Sequence, residues 1–207
     1  MIRRDALLLG FAALVAGGLP ARALDRALTP EEQTLIGQIN AHNSAIRTMV
    51  GRFLQIDTNG GRSEGTFFLE RPDKIAFRYA PPSREEIVSV GRGFYVLNRR
   101  EETYYAYPQD SIPLRQFLGE RIDLLKANVV DITQSEGYVS VTVVDQTVAG
   151  TVQVSLIFDV DSKELVQWNL VEPSGAEMSF SLYDVEKDVT IPRAYFSIPA
   201  TYKAMQQ

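Results

Sequence analysis

The sequence predicts a mainly β fold, an antiparallel meander of about eleven strands behind one helix. Two observations carry the strands. From Arg47 onward Val, Ile, Thr, Phe and Tyr recur with period two, in runs broken roughly every 8–12 positions by turn residues. The breaks are short, among them Asn59-Gly60-Gly61, Pro81-Pro82, Gly91-Arg92-Gly93, Asp161-Ser162-Lys163 and Ser174-Gly175, and short breaks make hairpins. A third observation carries the helix. Thr29-Pro30-Glu31-Glu32 supplies an N-cap, a proline at the first helical position and a capping-box glutamate, and Leu35, Ile36, Ile39, Ile46 and Met49 follow at helical spacing.

The strands are read at 47–57, 63–71, 74–80, 86–91, 94–99, 103–108, 129–135, 138–146, 151–160, 165–173 and 176–186. Alternation puts Phe67, Leu69 and Arg71 on one face, Ile75, Phe77 and Tyr79 on the next strand's face, then Val152, Val154, Leu156 and Phe158, and then Val166, Trp168 and Leu170. In a closed barrel or a sandwich such a face is simply core. Arg71, however, falls in phase with it, and a buried guanidinium needs acceptors for its five donors. The segment that interrupts the strands, Ser111 to Gly119, reads as a short helix with Leu114, Phe117 and Leu118 on one side, and Ile122 to Lys126 adds a second turn. It is read either as a lid over the apolar face or as a crossover closing one end of a barrel.

Composition removes whole classes of function. The chain has 207 residues and a 45% apolar fraction, enough for a sizeable core. Lys and Arg total 21 against 26 Asp and Glu, a net charge of −5, which has the wrong sign for holding nucleic acid. There is no Cys and one His, His42, so thiol chemistry, disulfides, His/Cys metal sites and an acyl anchor on cysteine are excluded. Gly60-Gly61 opens no phosphate loop, and the acidic pairs Glu31-Glu32, Glu85-Glu86 and Glu101-Glu102 lie at element boundaries where solvated carboxylates are the default. No enzyme, metal or cofactor is expected.

The N-terminus fixes a compartment. Arg3 and Arg4 precede the apolar stretch Ala6 to Leu19, and Ala21-Arg22-Ala23 is a cleavage site, so residues 1–23 read as a signal peptide and 24–207 as one exported domain. The paired arginines leave both the general and the twin-arginine route open. No later apolar run approaches the ~20 residues that span a bilayer.

The ordered set Phe53-Leu54-Gln55, Gly65-Thr66-Phe67, Glu70-Arg71-Pro72-Asp73-Lys74-Ile75-Ala76-Phe77-Arg78-Tyr79, Val90-Gly91, Ile112-Pro113-Leu114 and Phe196-Ser197-Ile198-Pro199 resembles the periplasmic outer-membrane lipoprotein carrier family, LolA. The likeness runs from about residue 34 to 200. It implies an unclosed half-barrel whose apolar face is covered by the N-terminal helix and the inserted lid, and a cavity that holds lipoprotein acyl chains. On that reading the cavity is lined by Phe53, Phe67, Leu69, Ile75, Phe77, Tyr79, Tyr95, Leu97, Val154, Leu156, Phe158, Trp168 and Leu170. The family's inward arginine falls on Arg71, latching the lid carbonyls near Leu114, Phe117 and Leu118. Phe77 and Tyr95 stand where the family often has tryptophan. The implied partners are acylated lipoproteins as cargo, an inner-membrane exporter and an outer-membrane acceptor, with the carrier a periplasmic monomer. A lipid or lipoprotein sensor on the same half-barrel is the alternative. Arg47, Arg52, Arg78 and Arg84 are candidates for a basic docking rim.

Overall fold

The computed structural model describes residues 27–109, 115–147 and 150–206. The expected signal peptide, the start of the lid and Leu114 lie outside the described residues.

Helix α1 (Pro30–Ala45) begins where its capping box says it should. The Thr29 hydroxyl accepts from the Glu32 amide at 3.2 Å, and the Glu32 carboxylate accepts from the Thr29 amide at 2.8 Å. The helix ends at Ile46, whose extended backbone leads straight into the first strand. Ile36, Ile39 and Asn43 are its buried residues, so one face is committed to packing.

The strands are β1 (Thr48–Ile56), β2 (Arg62–Glu70), β3 (Lys74–Tyr79), β4 (Glu85–Val90), β5 (Gly93–Asn98), β6 (Thr103–Pro108), β7 (Val129–Ser135), β8 (Tyr138–Thr147), β9 (Gly150–Asp159), β10 (Leu165–Val171), β11 (Glu177–Lys187) and β12 (Lys203–Ala204). They form one open sheet in the order β12-β6-β5-β4-β3-β2-β1-β11-β10-β9-β8-β7. Eleven of the spans match the sequence reading to within two residues. The two-residue β12 does not, because two exposed residues carry no alternation; it forms when the chain returns beside β6, in the sheet's one parallel pairing among the described residues.

The order also corrects the expectation of a single meander. β1 to β6 and β7 to β11 are two meanders joined at β1–β11, so β6 and β7, consecutive in sequence, stand near opposite edges. The connection between them must therefore cross the sheet. Bulges interrupt the pairing at Val50/Arg52, Val129/Asp131 and Leu165/Gln167, and bulges of this kind add bend and twist.

Side chains paired directly across strands share a face. Phe67, Phe77, Ile87, Val96 and Tyr105 form one such row, and Phe68, Ala76, Val88, Tyr95 and Ala106 the row behind it. The first row belongs to the inner face, which packs on α1 and the β6–β7 connection; its cluster includes Ile36, Ile39, Phe53, Phe67, Phe77, Phe158 and Trp168. The outer face of β2 to β6 is covered by the C-terminal segment through Ile191, Tyr195, Phe196, Ile198 and Tyr202. Phe68 stacks on Tyr195 with centroids 4.2 Å apart, and the Arg78 guanidinium lies 4.4 Å from the centre of the same tyrosine ring while bonding Glu86 at 2.7 Å.

Candidate inner-face binding site

The inner face is built around aromatic edges and faces. Phe53 meets Phe77 at 5.2 Å and Tyr79 at 5.0 Å, both nearly perpendicular, and Trp168 stacks on Phe180 at 4.8 Å. Each such ring pair adds about 0.5–1.5 kcal/mol beyond the area it buries. Gly65 makes this packing possible. A Cβ there would lie 2.1 Å from the Arg78 carbonyl oxygen and 2.6 Å from the Phe53 ring.

Two covers close part of this face. Helix α1 contributes Ile36 and Ile39, and the crossing connection contributes Phe117, Ile122 and Leu124. The connection is held to the helix by side chains: the Ser44 hydroxyl accepts from the Ile122 amide at 2.9 Å, and the Asn40 side-chain carbonyl accepts from the Leu124 amide at 3.1 Å. At its start the Leu118 carbonyl accepts from the Asp73 amide at 2.8 Å. The inner-face wall of β4 to β6 is left half-buried: Ile87, Phe94, Val96, Tyr105 and Tyr107 are each partly open to solvent.

Polar groups within this face are few. The Tyr79 hydroxyl donates to the Gln55 side-chain oxygen, and the Gln55 amide approaches the Met178 sulfur at 3.5 Å. Burial, with Glu85 nearby, holds the Tyr79 hydroxyl well above the usual tyrosine range, so it stays a donor. Burial also pushes the Glu85 carboxyl upward.

The expected lining residues fall into three groups. Phe53, Phe67, Phe77, Tyr79, Val154, Leu156, Phe158 and Trp168 are buried in the inner cluster, with Ile75 and Leu170 packed against it. Leu69 is 4% exposed and shares their face through its pairing with Met49 and Ile75. Tyr95 and Leu97 are corrections. Both belong to the outer cluster, because the β4–β5 hairpin pairs Val90 with Gly93 and so sets Phe94 and Val96, not their neighbours, on the inner face. A second correction concerns Val166: the bulge before Gln167 puts Leu165 opposite Phe158 and into the cluster in its place.

The lid is described only from Arg115 onward. Arg115–Leu118 is one 3-10 turn, with Phe117 and Leu118 buried, and 122–126 is a turn rather than a second helical segment. Arg71 is 7% exposed, as its phase demands, and the lid start at 110–114 that it is expected to latch lies outside the described residues. Among the described residues its Nη1 donates to the Ile46 carbonyl at 3.4 Å, at the end of α1, and its Nε has no partner. Burial and the neighbouring Arg47 push its pKa down to about 10. The lid carbonyl of Leu118 is taken by the Asp73 backbone instead, which follows from the loop after β2 passing directly under the connection.

Three of the four arginines expected to form a docking rim have carboxylate partners. Arg47 pairs with Glu120, Arg52 with Glu64 and Arg78 with Glu86, leaving Arg84 at the far end of the sheet. His42 sits 3.8 Å from Glu164, where α1 meets the β9–β10 turn, and Asn43 beside it donates to the Lys163 carbonyl at 2.7 Å.

An open antiparallel sheet with one helix and one crossing segment over a shared apolar face defines a half-shell architecture. The family model described as outer membrane lipoprotein carrier protein LolA matches residues 44–199, and the chain belongs to that family. Comparison with curated proteins finds no match. Among solved structures, an uncharacterized conserved protein from Thermus thermophilus is similar at 5% identity and a TM-score of 0.52, over 86% of this chain and 99% of that one. A provisionally assigned outer membrane lipoprotein-sorting protein domain from Vibrio parahaemolyticus is similar at 8% identity and a TM-score of 0.50, over 79% and 94%. A LolA superfamily protein from Nitrosomonas europaea is 11% identical over 78% of this chain and 97% of that one, with a TM-score of 0.43. At these identities the likeness concerns the fold.

Proposed function

We propose that this protein is a periplasmic carrier that shields the acyl chains of lipoproteins against its inner face and takes them from an inner-membrane exporter to an outer-membrane acceptor. The observation that carries the reading is the half-buried wall of Ile87, Phe94, Val96, Tyr105 and Tyr107, which continues the buried aromatic cluster beyond its two covers. Apolar side chains left partly wet on a face that is otherwise core have an unmet demand for apolar area. An acyl chain has the matching need, since each exposed CH₂ costs roughly 0.8 kcal/mol. The leader expected at residues 1–23 supplies the route to the periplasm. None of the described helices is long and apolar enough to cross a membrane.

Release follows from the same geometry. The covers are held by apolar contact and by a few bonds, Ile122 to Ser44, Leu124 to Asn40 and Asp73 to Leu118, each worth about 0.5–1.5 kcal/mol. Acyl chains enter by displacing these covers, and their return offsets part of the binding energy when cargo leaves.

Mass spectrometry of what stays bound after gentle purification from the periplasm tests the reading. Triacylated lipoprotein is the expected ligand. Free lipid without lipoprotein favours the sensor on the same fold, and an empty protein that fails to capture added lipoprotein overturns the carrier.

A further inference from the structure

At the end of the sheet formed by the β3–β4 and β5–β6 turns lies a surface cavity of about 410 Å³ lined by Tyr79, Pro81, Arg84, Arg99 and Arg100. Three of its five walls are guanidinium-bearing. Arg99 is fixed in place: its Nη2 donates to the Tyr79 carbonyl at 2.7 Å and its Nε to the Arg84 carbonyl at 3.4 Å, tying the two turns together. Among the described residues none of the three arginines has a carboxylate within ion-pair distance, whereas Arg47, Arg52, Arg62 and Arg78 each have one. The acidic side chains of the same turns, Glu85, Glu101 and Glu102, do not line the cavity.

Arginines gathered around a concavity and left without a carboxylate are suited to an oxyanion, which accepts two parallel bonds from a planar guanidinium. The tyrosine wall decides what carries that oxyanion. Tyr79 is 4% exposed and belongs to the inner aromatic cluster through its contact with Phe53. On the neighbouring strands the inner face passes from Glu85, Asn98 and Thr103 at this end to Ile87, Val96 and Tyr105 one pair further in. A charged mouth therefore adjoins an apolar wall.

We propose that this cavity is a head-group subsite for an oxyanion joined to an apolar chain: the carboxylate or phosphate of an acidic amphiphile sits among Arg84, Arg99 and Arg100 while its tail lies on the inner face. This rests on the reading of that face as an acyl site and adds a ligand class to it. Free acidic lipids then bind with a preference that the uncharged acylated terminus of a lipoprotein does not share.

Fluorescence titration of the full mature chain with dansylaminoundecanoic acid and with its methyl ester tests the subsite. The acid is expected to bind about tenfold more tightly than the ester, the size of one partly exposed charge-assisted contact. The double variant Arg84→Gln/Arg100→Gln, at two exposed positions, should bring the acid to the affinity of the ester and leave the ester unchanged. Equal affinity of acid and ester in the parent, or an undiminished preference in the variant, overturns the subsite. Millimolar inorganic phosphate should bring the acid down to the affinity of the ester and no further; complete displacement of the acid with the ester unaffected overturns the subsite, because the acid then binds as a free anion apart from the apolar wall. Failure of both probes to bind refutes the acyl-site reading itself, an outcome distinct from all of these.

Discussion

The rings of Phe117 and Phe158 stack with centroids 6.3 Å apart and planes 25° from parallel, joining the connection that crosses the sheet to the strand beneath it. Phe158 is fully buried and Phe117 is 6% exposed, so the contact is dry on both sides. It is the aromatic contact between a cover and the sheet among the described residues, and it makes Phe117 the side chain that must leave for the inner face to open there.

Phe117→Ala should therefore weaken the closed state more than any other single change among the described residues of the connection. Truncating a buried Phe costs about 3–5 kcal/mol where the site cannot collapse. Here part of that cost is recovered by an open state. The expected result is a lower unfolding midpoint together with stronger binding of a hydrophobic fluorescent dye; a destabilised protein with parental dye binding would make Phe117 ordinary core.

Val96→Glu tests the half-buried wall without attacking the buried cluster. Its side chain is already partly wet, so the new carboxylate keeps some hydration and the fold should survive, with a loss of about 1–2 kcal/mol. Acyl capture should fall at least tenfold with unchanged circular dichroism. Phe77→Glu and Trp168→Glu should also abolish capture, but as 8% exposed core residues they should unfold the protein as well.

Arg71 distinguishes a lid latch from a helix-end contact. Its one side-chain bond among the described residues, to Ile46, is long, and its Nε is buried without a partner. Arg71→Met removes a weak bond and a desolvated charge together. Stability should change by less than about 1.5 kcal/mol, and dye binding should match the parent. A large rise in dye binding would identify Arg71 as the latch.

Glu85→Gln carries a pH signature. Burial raises the folded-state pKa of this carboxyl above its value in the unfolded chain, so the folded state binds more protons and the parent gains stability as pH falls through that raised value. The glutamine variant should be the more stable at pH 7. Its advantage should shrink as pH falls through the raised value and be gone below 4.5, the ordinary carboxyl value, in thermal melts across that range.

Gly65→Ala should be severely destabilising, by about 3 kcal/mol or more, since the new methyl group meets backbone and a buried ring rather than a movable chain end. Thermal denaturation measures it, and a near-parental midpoint would show that β2 shifts freely over Phe53.

Eleven strands, one capped helix and the half-shell family are legible because each rests on local signals: period two, turn residues, a capping box and an ordered set of motifs. So is the burial of Arg71, which phase alone predicts. The corrections have local causes too. The resemblance places Tyr95 and Leu97 on the inner face, whereas the two-residue turn that pairs Val90 with Gly93 sets Phe94 and Val96 there. Pairing set by that turn length makes Phe94 and Val96 follow from Phe77 instead.

What the sequence determined by itself is therefore the list of elements and which side chains alternate within each, since both depend on backbone period and on residues a few positions apart. The tertiary structure decided which element covers which face. Nothing local says that β1 pairs with β11, yet that pairing sends the β6–β7 connection across the sheet and makes it a cover. Nothing local says that Ile46 supplies the acceptor for Arg71, or that two separate turns, tied through Arg99 and Arg84, bring three arginines beside Tyr79. Such contacts form only when chain segments distant in sequence are ordered together, and their energy depends on burial and geometry that no single segment possesses.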